Sequence, residues 1–214
     1  MTNGYKKLDE SIGYSINDVP KNITEDLDDI INKISSNHTD YELGNFGLAG
    51  NIEREYRIKN LVNINLEKFI LDQVTKFNEY NNNIYINSID ILNQALPFYV
   101  DQIWINFQKK YEFNPLHSHS GLYSFVIWHK IPYTIEEEQN FFKNVPIEKQ
   151  KSGQFNFVIS THVGIISVDL SIDKKCENKI CIFPSKLNHI VYPFFTSNNY
   201  RITISGNIKL LNNS

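Results

Sequence analysis

The stretch CIFPSKLNHIVYPFFTSNNYRITISGN, residues 181–207, decides the fold of this chain. It contains three short runs rich in β-branched and aromatic residues, CIFP, NHIVYPFF and YRITISGN, separated by SKL and TSNN. Such runs, bounded by turn-forming residues, are typical of β-strands. In the last run Arg201, Thr203 and Ser205 alternate with isoleucines, so one face of the predicted strand is polar and the other is apolar.

Further runs of this kind lie between residue 98 and that stretch, namely YVDQIWINFQ, LYSFVIWHKI, QFNFVIS and VGIISVDL. Before residue 98 the apolar spacing is helical instead. Apolar residues recur every three or four positions from Leu27 to Ile34 and again from Leu66 to Phe77. A third short helix is predicted over Ser88–Ala95, because Pro97 cannot continue it.

This order of elements predicts an α+β fold that is mainly β. Many short strands after a helical segment favour a β-sandwich or jelly roll with N-terminal helices packed on one face. The chain has 214 residues and no linker long enough to separate two domains. We therefore expect a single domain, with residues 1–97 as a helical lead-in and support and residues 98–214 as the jelly-roll core.

Three histidines are the candidates for metal ligands. In EFNPLHSHSG, His117 and His119 are two residues apart, so an extended backbone points both imidazoles the same way. His189 lies within an apolar run, and Arg201 follows on a polar strand face. Each residue alone has an ordinary interpretation: turn histidines, a core histidine and a surface arginine. If the polar face points inward, however, a buried arginine requires an anionic partner, and a dicarboxylic cosubstrate would fit.

Two segments resemble the 2-oxoglutarate- and Fe(II)-dependent oxygenases. They are WINFQKKYEFNPLHSHSGLYSFVIWHKIP and IFPSKLNHIVYPFFTSNNYRITISGNI, and the second is the more specific because ligand and arginine fall in the family's order. The similarity is greatest to a branch common among phage proteins, whose helical lead-in also resembles LAGNIEREY, residues 48–56. The similarity therefore covers most of the chain.

The resemblance implies a double-stranded β-helix that holds Fe(II) in a facial triad and uses 2-oxoglutarate and O2. By position, His117 and His189 are the implied histidine ligands. Arg201 is the implied partner of the distal carboxylate of 2-oxoglutarate, with Thr203 beside it. Asn106 resembles the asparagine that contacts the other end of this cosubstrate in some members. The implied activity is oxidative decarboxylation of 2-oxoglutarate coupled to oxidation, as by a hydroxylase, of an unidentified substrate.

Position 119 departs from the family pattern. Most members have aspartate or glutamate there, and this chain has His119, which lacks the negative charge of a carboxylate. A bound 2-oxoglutarate dianion could balance the two charges of Fe(II), so three neutral ligands are electrostatically possible. Either His119 is the third ligand, which the spacing favours, or it lies beside a two-histidine site.

Two other classes of protein share the predicted architecture. A cupin also begins its metal motif with two histidines in this spacing, but it needs a glutamate shortly after them, where this chain has Tyr123 and other non-acidic residues. A noncatalytic jelly-roll module that binds a metal or ligand is the remaining alternative. In that case the three histidines need not converge, and Arg201 should be solvated.

Composition limits the partners. The net charge of −3 gives no basic field for a phosphate backbone, so nucleic acid is an improbable partner, and no apolar run is long enough to span a membrane. A cytoplasmic protein is expected, in the host cytoplasm if a phage encodes it. The substrate could be a small molecule, a sugar or a protein side chain. The long segment from Tyr133 to Gly153 is predicted to be a lid that contributes to selectivity.

Overall fold

The computed structural model describes residues 1–8, 12–36, 42–43, 50–58, 64–87 and 96–211. The helices in these ranges are α1 Lys21–Ser36, α2 Ile64–Tyr80, α3 Ile84–Asn87 and α4 Ile135–Phe141. The strands are β1 Gly4–Lys7, β2 Gly13–Asp18, β3 Glu42–Leu43, β4 Arg54–Ile58, β5 Phe98–Gln108, β6 Asn114–His117, β7 Tyr123–Lys130, β8 Gln154–Thr161, β9 Gly164–Ser171, β10 Lys179–Pro184, β11 Asn188–Val191 and β12 Arg201–Leu210.

The strands form two antiparallel sheets. The large sheet has eight strands in the order β1-β2-β10-β7-β12-β5-β4-β3, and the small sheet has four in the order β6-β11-β8-β9. From β5 onward the chain passes repeatedly between the sheets: β6, the pair β8 and β9, and β11 lie in the small sheet, while β5, β7, β10 and β12 lie in the large one. This arrangement confirms the prediction of a mainly β jelly roll.

Alternation along the central strands produces two separate cores. In β12, Ile202 and Ile204 pack with α1 and α2 on the outer face of the large sheet. In β7, Val126 and Trp128 face the other way and pack with residues of the small sheet. Since successive side chains of a strand point to opposite faces, the polar residues of β12 face the space between the sheets. From the sequence, an arginine on an inward-pointing face was expected to be buried and to require an anionic partner. Arg201 of β12 has this inward orientation.

The helices cover one face of the large sheet, as predicted. Buried residues of both helices, among them Leu27 of α1 and Phe77 of α2, share one apolar cluster with the central strands. Part of this interface is polar, because the Nε2 atom of His129 in β7 lies 2.9 Å from a carboxylate oxygen of Asp28 in α1. The two amphipathic stripes seen in the sequence are therefore the faces that support the sheet.

The lead-in is not only helical, and in this respect the expectation was wrong. Residues before 98 also form β1 to β4, which lie at the two ends of the large sheet. These strands are short, and β2 and β4 join the central strands through partners that are remote in sequence, β10 and β5. The division at residue 97 stays a prediction, and the pairing of β4 with β5 favours one unit. The helix predicted over 88–95 lies outside the described residues.

None of the helices in the described ranges combines the length and the apolar character needed to cross a membrane.

Candidate active site

Three histidine side chains converge in the structure. His117 is the last residue of β6, His119 follows it in the turn before β7, and His189 lies in β11. β6 and β11 are antiparallel neighbours, with His117 directly opposite His189. The candidate ligand nitrogens of the three rings all lie within 4.8 Å of one another. Three nitrogens at this separation can contact a single metal ion.

Backbone carbonyls orient two of these rings. The Nδ1 atom of His117 lies 2.7 Å from the carbonyl oxygen of Pro115, and that of His189 lies 3.0 Å from the carbonyl oxygen of Leu187. A carbonyl can only accept, so each Nδ1 carries the proton and donates it. The Nε2 atom of each ring then has a free lone pair for a metal, and a hydrogen bond of this kind is the usual support of a ligating histidine.

Burial keeps the three imidazoles neutral. Loss of contact with water lowers the pKa of His117, lowers that of His119 to about 4, and lowers that of His189 well below its usual value. The nearby imidazoles of the group lower the pKa values of His119 and His189 further. At neutral pH these rings are therefore unprotonated, which is the form that binds a metal.

Arg201 lies on the interior face of the large sheet and is only 2% exposed. Its Nε and Nη2 atoms donate to Oε1 of Gln108 at 3.0 and 2.6 Å. Its Nη1 atom donates to the hydroxyl of Tyr133 at 2.6 Å, and Nη2 also donates to the carbonyl of Tyr192 at 2.9 Å. Four of the five guanidinium hydrogens can thus be assigned to neutral acceptors, which leaves one on Nη1.

The charge of Arg201 is not balanced by an anion among the residues that the structure describes. Among the described residues, no carboxylate forms an ion pair with its guanidinium. Nearby, Nδ2 of Asn106 lies 3.5 Å from Oγ1 of Thr203, and the buried Oδ1 of Asn106 finds no partner within the described ranges. A buried cation beside an unsatisfied amide and a hydroxyl is a suitable place for a carboxylate ligand.

One cavity of about 160 Å³ joins the histidines to the arginine. Its polar lining includes the three histidines, Asn106, Thr203 and Arg201, and its apolar wall includes Trp104, Trp128, Phe155 and Phe183. On β7, Trp128 faces this cavity, whereas Phe125 and Ile127 belong to the helix-side core.

Tyr133 is a residue of the site that the sequence did not reveal. It is fully buried, accepts from Arg201, and donates to the carbonyl of Gly153 at 3.1 Å. Gly153 has a φ of +71°, and a Cβ atom there would lie 2.7 Å from the Tyr133 ring. Tyr133 and Gly153 are the two ends of the predicted lid segment. Arg201 therefore donates to the first residue of this segment, which in turn donates to the last.

A second such residue is Glu55 in β4, which lines the same cavity and is 3% exposed. Burial raises the pKa of its carboxyl to about 8, although the nearby Arg57 lowers it. In the sequence, the short run REYRI gave no sign that Glu55 would be buried, because charged residues stand on both sides of it. It became a candidate only because β4 pairs with β5 in the fold.

Comparison with protein families finds a match over residues 102–207 to the family described as "Putative 2OG-Fe(II) oxygenase". That range contains most of β5, the three histidines and Arg201. The chain belongs to the 2-oxoglutarate- and Fe(II)-dependent oxygenase superfamily. It is therefore an oxidoreductase, and its family implies Fe(II), 2-oxoglutarate and O2 as cofactor and cosubstrates. Membership of the phage branch stays a prediction.

Solved structures share the fold of this oxygenase at low sequence identity. A prolyl-4-hydroxylase from Pseudomonas putida is similar with a TM-score of 0.57 and 11% identity, covering 94% of this chain and 95% of the hydroxylase. The structure named OsALKBH1 is similar with a TM-score of 0.57 and 12% identity, covering 95% of this chain and 99% of its own. No protein in the comparison with curated sequences matches.

The residues in the cavity fit the groups that the family implies. Three neutral imidazole nitrogens suit Fe(II), and the buried arginine with Asn106 and Thr203 suits a carboxylate. Among the described residues, the cluster of potential metal ligands contains histidines only. The structure therefore retains the departure at position 119, where most members of the superfamily have a carboxylate.

Proposed function

We propose that this oxygenase couples the oxidative decarboxylation of 2-oxoglutarate to the oxidation, most simply the hydroxylation, of a substrate. The observation that supports the proposal most strongly is the shared cavity, in which three imidazoles from β6, the following turn and β11 face a buried Arg201. These groups come from remote parts of the chain, and none of them is needed there to complete a hydrophobic core.

In this proposal His117, His119 and His189 hold the metal. The first two come from one segment and the third from the neighbouring strand, which is the arrangement of a facial triad. The ligand nitrogen of His119 lies within the same 4.8 Å as the other two, which favours its role as third ligand over a two-histidine site. Bound Fe(II), with 2-oxoglutarate and O2, supplies the oxidising chemistry.

Arg201, Thr203 and Asn106 would hold 2-oxoglutarate. The remaining hydrogen on Nη1 of Arg201 and the hydroxyl of Thr203 are donors for its distal carboxylate, and the amide of Asn106 is a donor for its other end. Gln108 and Tyr133 do not contact the cosubstrate in this account. They fix the plane of the guanidinium, so that little side-chain entropy is lost when the anion binds.

The aromatic wall would keep water from the reacting atoms. Trp104, Phe155 and Phe183 are buried around the histidines, and the ring centroids of Phe155 and His189 are 5.3 Å apart. The segment from Tyr133 to Gly153 is suited to close the cavity, because Tyr133 at its start accepts from Arg201 and donates to the carbonyl of Gly153 at its end. A noncatalytic jelly-roll module is disfavoured, because that alternative gives no reason for the histidines to converge and expected a solvated arginine, whereas Arg201 is buried.

Succinate formation tests this function. With Fe(II), 2-oxoglutarate and O2 but no other substrate, the protein should release succinate slowly through uncoupled turnover. His189→Ala should abolish it, and His162→Ala, which changes an exposed histidine, should leave it unchanged. Absence of succinate from a wild-type protein that binds Fe(II) and 2-oxoglutarate would rule out the oxygenase activity and leave a binding module.

A further inference from the structure

The carboxyl of Glu55 occupies a place in the cavity that the proposed function does not use. On the large sheet, Glu55 pairs with Asn106, and Asn106 pairs with Thr203. The three side chains therefore form one row across the interior face, next to the candidate cosubstrate site. Among the described residues that line the cavity, Glu55 is the only acidic one. Burial in the cavity is costly for the charged form of its carboxyl.

The charge of the candidate metal site gives this carboxyl a role. Where a superfamily member has an aspartate or glutamate as third ligand, one negative charge offsets part of the charge of Fe(II). His119 is neutral, so here the ligands offset none of it, and Arg201 adds a further positive charge at the other end of the cavity. A divalent cation bound by three neutral imidazoles strongly favours the ionisation of any acid that shares its low-dielectric surroundings.

We infer, on the basis of the proposed function, that Glu55 supplies the negative charge that position 119 lacks, and that it gives up its proton when the metal binds. The carboxyl is neutral in the metal-free protein and becomes a carboxylate in the metal-bound one. Metal binding is then coupled to the release of one proton to solvent, and the site gains its anion from β4 instead of from a ligand.

The surroundings of Glu55 agree with this behaviour. Its pKa of about 8 without metal keeps it mostly protonated at pH 7, and the cause is burial. The charged and titratable groups that line the cavity with it are Arg201 on β12 and the three histidines, and Arg57 on its own strand also lowers its pKa. The residues opposite it on β5 are neutral.

The number of protons released per metal ion can be measured by calorimetric titration. The protein is titrated with Co(II) alone, or with Fe(II) alone under anaerobic conditions, at pH 7 in buffers of different ionisation enthalpy. Wild type should release close to one proton per metal ion bound. Glu55→Gln should release almost none, and Glu55→Asp should restore the release because it restores a carboxyl. Glu53→Gln removes an exposed carboxylate two residues away and should behave as wild type.

The pH dependence of metal affinity is a second readout. If one proton leaves per metal ion, the wild-type association constant should rise with pH below about 8, by up to about tenfold per pH unit, and that of Glu55→Gln should rise less steeply. Metal binding without proton release in wild type, or equal release in Glu55→Gln, would overturn this inference and leave the oxygenase proposal intact. Failure of wild type to bind metal at all would instead overturn the metal site itself.

Discussion

The Nη1 atom of Arg201 donates a 2.6 Å hydrogen bond to the hydroxyl of Tyr133, which in turn donates to the carbonyl of Gly153. This chain of two hydrogen bonds connects the candidate cosubstrate site to both ends of the segment from Tyr133 to Gly153. It also explains why a buried tyrosine lies beside a buried cation. The position of the segment and the orientation of the guanidinium should therefore depend on each other.

Tyr133→Phe should weaken 2-oxoglutarate binding. The variant leaves the ring in place but removes one acceptor from Arg201 and one donor from Gly153, so we expect a several-fold rise in KM for 2-oxoglutarate. Two lost hydrogen bonds should also lower the free energy of unfolding by about 1–3 kcal/mol. Steady-state succinate assays and thermal unfolding measure the two effects. Tyr14→Phe, elsewhere in the inner core, is the control, and an equal rise in its KM would argue against a specific link.

Arg201→Lys should separate cosubstrate binding from metal binding. Lysine keeps the charge but cannot reproduce the planar contacts to Gln108 and Tyr133. We expect 2-oxoglutarate affinity to fall roughly 10–100-fold, as when hydrogen bonds to a charged group are lost, while Fe(II) affinity changes little. Equilibrium titrations measure both. Arg54→Lys changes an arginine outside the cavity lining and should alter neither; retention of full 2-oxoglutarate affinity in Arg201→Lys would contradict the assigned role.

Glu138→Gln should loosen the lid segment from the core. Glu138 of α4 is completely buried, and its carboxylate accepts from the backbone N–H groups of Phe195 and Thr196 and from the Ser152 hydroxyl. An amide in its place turns one acceptor into a donor that faces other donors. We expect a loss of about 1.5–3 kcal/mol in unfolding free energy. Glu136→Gln, on the exposed side of the same helix, should be neutral, and equal thermal stability of both variants would contradict this contact.

The stability of the metal-free protein should fall as the pH rises through the range in which Glu55 titrates. The folded-state pKa is about 8, above the unfolded value of 4.5, so the folded protein holds a proton that the unfolded chain has lost. The stabilisation is therefore complete below pH 4.5 and lost as the pH approaches 8, by up to a few kcal/mol in order of magnitude. Glu55→Gln should remove this part of the pH dependence in denaturant titrations. An unchanged slope in the variant would mean that Glu55 is ionised throughout.

Much of the fold was predictable because its signals are local. The strands β5, β7, β8, β9, β10 and β12 and the helices α1 and α2 follow alternation or helical spacing that can be seen within ten to twenty residues. β11 was predicted to continue to Phe195, but it ends at Val191. Beyond that point the carbonyl of Tyr192 accepts from Arg201 and the N–H of Phe195 donates to Glu138, so the backbone bonds to side chains instead of a strand.

The candidate site was partly predictable for a similar reason. His117, His119, His189 and Arg201 lie in segments with recognisable order, and the inward direction of Arg201 followed from the alternation in β12. Tyr133 and Glu55 could not be found in this way. Tyr133 is 68 residues from Arg201 in the sequence and contacts it only in the folded chain. Glu55 faces the cavity because β4 pairs with β5, and no local pattern encodes that pairing.

The visible charge-transfer band of the Fe(II)–2-oxoglutarate chelate, measured by anaerobic titration, tests the central claim most directly. Wild type should develop this weak band and saturate at one iron per chain, and His189→Ala should not develop it. His119→Ala should bind Fe(II) roughly 10–100-fold more weakly. Loss of a residue that only supports a metal ligand lowers metal affinity by this factor, and loss of the ligand itself should lower it by no less. No band in wild type, or an undiminished band in His189→Ala, would contradict the account of three histidines facing one arginine.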